Sequence, residues 1–296
     1  MLALGAVGAL LVVFLVDAQW PRDSYFLERQ GNAVMEINPP AGDSNRDGLI
    51  LRGDTGLSVR VRVLRPARQD APLRTLIILG GYRTGSDAVD VAGDLEEVAI
   101  VALDYPYDGA LKFDNIIDLA RALPVIRRAL LDTPPSIFLA LSWLEKQPWA
   151  DPHRQELVGV SLGVPFAATA AALDARVDRL WLVHGAADNY VWLKANVDRW
   201  AWRPWVKAVL ARLLFWFAYA PSFDTAERVK AVAPRAVTII GAREDERMPQ
   251  GQTEALFAAA AMPKRLLWTE GQHVETDRED IVRTLISLVV ANNEAG

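Results

Sequence analysis

The chain has 296 residues, 51% of them hydrophobic, a formal net charge of −5 and no cysteine. That is length and apolar content enough for one large core, which excludes an intrinsically disordered chain. The acidic balance gives no reason to expect a nucleic-acid partner, whose phosphates want clustered Lys and Arg, and the missing thiols exclude disulfides, thiolate metal sites and a cysteine nucleophile.

Residues 1–16 (MLALGAVGALLVVFLV) carry no charge. As a helix they would span roughly 24 Å, short of the ~30 Å hydrocarbon core. The length suits the apolar part of a signal peptide, and Val16-Asp17-Ala18 passes as a cleavage site, although no Lys or Arg precedes the run. Residues 1–20 are therefore expected to export the protein or hold it on the periplasmic side of an inner membrane. The alternative is a cytoplasmic chain whose first helix is buried. Residues 21–296 read as one domain.

Pro39–Asp43 and Pro66–Pro72 read as surface loops, and Leu57–Leu64 alternates with period 2 as a half-buried strand does. Short unbroken apolar runs follow at Thr75–Leu79, Glu97–Leu103, Glu156–Val160, Arg179–Val183, Ala236–Ile240 and Arg265–Trp268. Such runs are buried on both faces, as parallel strands are. Helical patterns lie between most of them, at Ile116–Leu130, Ile137–Lys146, Val164–Leu173, Gly251–Ala261 and Thr276–Asn292. The alternation predicts an α/β fold with a doubly wound, mostly parallel sheet. One stretch breaks the rhythm. Asn189–Phe223 holds Trp192, Trp200, Trp202, Trp205 and Trp216, and places Val206, Val209, Leu210, Leu213, Leu214 and Phe217 at helical spacing. It reads as a helical cap inserted at about 189–223.

Gly159-Val160-Ser161-Leu162-Gly163 stands where a strand becomes a helix. In G-x-S-x-G a sharp turn strains the serine backbone and lifts the hydroxyl above the sheet. Side chains at the two glycine positions would collide across that turn. Ser161 is the candidate nucleophile. The Leu162 amide, at the start of the helix, is a candidate oxyanion donor. A serine needs a base held by an acid. Of the three histidines, His273 follows the last strand on the edge that carries Ser161. His184 ends a strand ahead of the long insertion and lines or supports the pocket, whereas His153 precedes its strand and lies at the opposite edge. The acid is expected in Gly241–Pro249: Asp245 first, Glu244 as its rival, and Asp188, one strand earlier, as a third candidate. Glu246 reads as a solvated loop charge. The second oxyanion donor is expected at the Tyr82 amide, after the glycines of Leu79-Gly80-Gly81.

With GVSLG at 159–163, LGGYRTG at 79–85, DYP at 104–106, GAREDERMP at 241–249 and GQH at 271–273, the chain resembles the α/β-hydrolase family of serine esterases, lipases and related peptidases over Ser58–Asn292. The order Ser, Asp, His is the family's. The resemblance implies an eight-stranded sheet with the cap after the sixth strand. Two departures stand out. Gly80-Gly81 replaces the usual His-Gly of the oxyanion loop. Asp245 lies four rather than three residues after its glycine, which keeps Glu244 in contention.

The expected function is cleavage of a small-molecule acyl ester or thioester through a Ser-His-Asp triad and an acyl-enzyme, with no metal or organic cofactor. The aromatic cap favours an apolar acyl or aromatic group. A peptidase or acyltransferase on the same triad is the alternative among enzymes, and a catalytically silent, membrane-tethered binding protein is the alternative outside them. No nucleic-acid partner is expected. The sequence does not set the oligomeric state.

Overall fold

The computed structural model describes residues 2–32, 34–37, 46–67, 69–81, 89, 97–109, 114–199, 203–249, 251–274 and 279–291. Among the described residues, nine strands form one sheet: β1 (Val34–Ile37), β2 (Arg46–Gly53), β3 (Ser58–Leu64), β4 (Leu73–Leu79), β5 (Val98–Leu103), β6 (Ala150–Val160), β7 (Arg179–Val183), β8 (Ala236–Ala242) and β9 (Lys264–Thr269). Their spatial order is β1-β2-β3-β5-β4-β6-β7-β8-β9. Every pair from β5 to β9 is parallel, and β1, β2 and β3 join antiparallel at one edge. All the carboxyl ends of the parallel part thus lie along one rim.

The resemblance implied eight strands; the sheet has nine, and the insertion follows the seventh rather than the sixth. The extra strand is β1, whose four residues are too few for a periodic signal. It pairs with β2, which has a glycine in its middle, Gly48, and that also blurred β2. Tertiary contact settles β1: Glu36 accepts a 2.8 Å hydrogen bond from Trp143 Nε1.

The described helices are α1 (Leu2–Gln19), α2 (Asp23–Arg29), α3 (Ile116–Leu144), α4 (Gly163–Leu173), α5 (Asn189–Asp198), α6 (Pro204–Phe217), α7 (Thr225–Lys230), α8 (Gln252–Ala259) and α9 (Glu279–Ala291), with a 3-10 turn at Ala220–Phe223. Two helices were expected where α3 runs unbroken through Pro124, Pro134 and Pro135. Prolines 134 and 135 cannot donate to the carbonyls four residues back. The neighbouring turn is tied instead by Thr133 Oγ1 to Ala129 O (2.7 Å) and Ser136 Oγ to Asp132 O (2.8 Å). The Asp132 carboxylate is gripped from α2 by Arg29 through two nitrogens (2.9 and 3.0 Å) and by Tyr25 (2.5 Å).

Alternate residues of β4 enter separate cores. Leu73, Ile77 and Leu79 pack with α3 and α4 on one face, and Leu76 and Ile78 pack with α9 on the other. Burial on both faces is why the strands are apolar without alternation. Fully buried Arg74 crosses this frame. It donates to both oxygens of Glu156 on β6 (2.8 and 2.7 Å) and to the carbonyls of Val289 and Val290 in α9 (3.0 Å each), while Trp181 Nε1 of β7 donates to the same Glu156 (2.6 Å).

Candidate active site

Ser161 leaves β6 with φ 52, and its amide donates to Val183 O of β7 at 2.9 Å. α4 begins two residues later. A side chain at Gly159 would meet Ala167 Cβ at 2.5 Å and Gly163 O at 2.9 Å, so this glycine guards the turn as expected. Gly163 has a different cause: its absent side chain makes room for the Leu79 carbonyl of β4 rather than for the opposite side of the turn. Leu162 lies just ahead of the first turn of α4, where amides have no partner inside the helix.

The neighbouring strand repeats the device. His184 follows β7 with φ 51, and its amide donates to Ile240 O of β8 at 2.8 Å. Beyond β8, the Arg243 amide reaches Thr269 O (3.0 Å) and the Glu244 amide reaches Gly271 O (3.0 Å). These bonds lace the loop holding Asp245 to the one holding His273.

Three side chains meet on this rim. Ser161 Oγ lies 2.8 Å from His273 Nε2. His273 Nδ1 lies 2.8 and 3.0 Å from the two oxygens of Asp245. A carboxylate only accepts, so Nδ1 carries the proton and Nε2 faces the hydroxyl as a base. His273 is 1% exposed. Burial alone would raise the Asp245 pKa, but the His273 hydrogen bond and charge, with the amides of Met248 (2.8 Å) and Arg247 (2.9 Å), hold it below the usual value.

The other candidates lie elsewhere. Glu244 is exposed. Asp188 caps α5, accepting from the Tyr190 and Val191 amides (2.7 and 3.1 Å). Tyr82 lies outside the described residues. The loop before it is anchored by Tyr105, whose hydroxyl donates to Gly80 O at 2.8 Å.

Two residues do more than their sequence context indicated. Glu246 is no mere loop charge: its Oε2 accepts the His273 amide at 3.1 Å. His184, fully buried, accepts the Val274 amide on Nδ1 at 3.0 Å, and that Nδ1 lies 4.0 Å from Asp245. The donor into Nδ1 fixes the proton on Nε2, which has no partner among the described residues. Burial, and then the His273 charge, lower the His184 pKa to about 4. The backbone on both sides of the His273 α-carbon is thus held by a side chain. A histidine ending a strand beside the serine was the available signal; the Glu246 contact left none.

His184, Asp245 and His273 offer nitrogen and oxygen ligands within 4.8 Å of one another. Both Nδ1 atoms are already engaged, by the Val274 amide and by Asp245, so a cation there would have to break those bonds.

No protein-family model and no curated protein matches this sequence. Solved structures do match. An acetyl xylan esterase from Paenibacillus sp. R4 aligns with TM-score 0.60 at 16% identity, over 93% of this chain and 98% of that one. Acetyl xylan esterase 1 from Thermoanaerobacterium sp. gives 0.58 at 15% identity, over 91% and 94%. An α/β hydrolase from Penicillium sp. gives 0.55 at 19% identity, over 83% and 99%. The fold is that of the α/β hydrolases.

Proposed function

We propose that this chain, built on an α/β-hydrolase fold, is a serine hydrolase that cleaves carboxylic esters or thioesters through an acyl-enzyme. The observation that carries the reading is the buried relay Ser161–His273–Asp245, with 2.8 Å contacts on both sides of one imidazole. That the similar structures include acetyl xylan esterases supports the reaction class.

Ser161 Oγ attacks the substrate carbonyl carbon as its proton passes to His273 Nε2. Asp245 keeps the ring oriented and stabilises the imidazolium. The oxyanion takes the Leu162 amide at the amino end of α4, and the Tyr82 amide as its second donor. When the intermediate collapses, Nε2 gives its proton to the departing alcohol or thiol. Water, deprotonated by the same nitrogen, then splits the acyl-serine. Glu246 and His184 are positioning residues that hold the backbone of 273 and 274. The 189–223 segment would serve as the cap, and residues 1–20 would export the protein or tether it to a membrane.

The test is covalent labelling with a fluorophosphonate, combined with turnover of nitrophenyl esters of graded chain length. Wild type should label and turn over, and Ser161→Ala should do neither. Wild type that fails to label, or Ser161→Ala that labels equally, overturns the proposal.

A further inference from the structure

α1 and α6 both turn an uncharged face to solvent. On α1, Val12, Val13 and Val16 share one side, and with Trp20 just past the helix they are 53–65% exposed. On α6, Trp205, Val209 and Leu213 repeat every four residues and are exposed, whereas Ala211 behind them is buried. A soluble monomer seldom leaves such stripes bare.

The inward sides of both helices close on the guanidinium of Arg127 on α3, beside that of Arg22, which pairs with Asp17 and lies 4.9 Å from the Tyr219 ring. The Arg127 guanidinium lies 5.1 Å from the Phe14 ring of α1 and 4.0 Å from the Tyr219 ring just after α6. It also bonds Asp17 Oδ2 (3.1 Å) and Phe217 O (3.1 Å). Tyr219 donates to the same Asp17 oxygen (3.1 Å), and Ala18 is fully buried. The two helices therefore stand beside each other with their apolar sides outward, and Asp17, the first charge after the apolar run, is neutralised inside the joint.

Charge names the occupant. Between residues 189 and 217 the chain places Lys194, Arg199, Arg203, Lys207 and Arg212 against Asp198 alone, in a protein whose net charge is −5; Lys194 pairs with Asp198 (2.8 Å), Lys207 donates to its carbonyl (3.0 Å) and Arg212 lies over the Tyr190 ring (3.9 Å), so the segment as a whole is net cationic. A net cationic segment that carries an exposed apolar stripe, with tryptophan near a helix end, is the pattern of a helix lying in a lipid headgroup layer. At 14 residues α6 is about 21 Å long, too short to cross a bilayer but sufficient to lie along one. We infer that α1 and α6 together form a bilayer-binding surface for anionic lipid, so that the insertion between β7 and β8 rests on the membrane alongside the N-terminal helix. The inference is independent of any role of Ser161.

The cysteine-free chain allows a direct test. In the full-length protein, Val209→Cys and, as a control, Met262→Cys (70% exposed, ahead of β9) each carry an environment-sensitive dye. With vesicles containing phosphatidylglycerol the protein should co-sediment. The dye at 209 should shift to the blue and be quenched by brominated acyl chains, and the dye at 262 should do neither. Pure phosphatidylcholine should bind less. Val209→Glu/Leu213→Glu, both exposed, should keep the thermal midpoint yet bind at least about tenfold less well. Three results would overturn the inference: no co-sedimentation; bound protein whose dye at 209 stays aqueous, meaning that α1 alone is the tether; or a shift without vesicles that grows with protein concentration, meaning that a second copy covers the face.

Discussion

Ser161 and His184 hold left-handed backbone at the ends of adjacent parallel strands, a conformation that non-glycine residues pay for in strain. Ser161 thereby gains its reach to His273, and His184 gains its grip on Val274. Removal of the acid tests the relay. Asp245→Asn should lower kcat by about 10⁴-fold, because the ring loses its oriented tautomer. Glu244→Ala, at an exposed position, should stay within about twofold in the same steady-state assay. His184 should show itself against pH. A free imidazole takes a proton near 6.5, whereas the folded protein refuses it until about 4. The unfolded state therefore binds more protons between those values. The His184 contribution to stability is full above pH 6.5 and falls, on the order of 3 kcal/mol, as pH drops towards 4. Asn tolerates positive φ and can accept the Val274 amide without titrating. Urea unfolding of His184→Asn should lose that slope. His184→Phe should lower kcat about tenfold with little change in KM, and Asn should restore most of the loss.

At the scale of elements, local signals were strongest where chemistry and geometry coincide. Ser161 and His273 were legible because each ends an apolar run on a predictable rim. Asp245 was legible only as one of several carboxylates, and the Met248 and Arg247 amides that select it are known only from the folded loop. Propensity misled in α3. Pro134-Pro135 reads as a break, but Asp132 binds Arg29 and Tyr25 at that very turn and carries the helix through. Asp132→Ala should strand the Arg29 charge and cost about 2–5 kcal/mol in chemical denaturation, without altering the contacts around Ser161. Gly163 was legible in its identity but not in its cause. Gly163→Ala should press on the Leu79 carbonyl and cost about 1–3 kcal/mol, measured by the urea midpoint.

At the scale of the molecule, the parallel half of the sheet was readable from its uniform apolar runs, and the antiparallel edge only in part. β3 alternated visibly, whereas β1 and β2 owe their places to pairing and to Trp143. Arg74 and Glu156 were equally opaque in sequence, being charges inside apolar strands. Arg74→Met should leave Glu156 buried and unpaired, at a cost of about 3–5 kcal/mol, and Arg74→Met/Glu156→Leu should recover much of it in thermal unfolding. The partners of Arg74 lie far along the chain, its carbonyl acceptors standing 215 and 216 positions downstream. A ribosome releases the residues in order, and α9 leaves the exit tunnel after every strand of the sheet. Until it does, the guanidinium on β4 lacks two of its acceptors. The nascent sheet can assemble during translation, but it locks only when α9 has emerged, so ribosome-stalled chains that stop short of α9 should remain open to protease long after Ser161 has emerged.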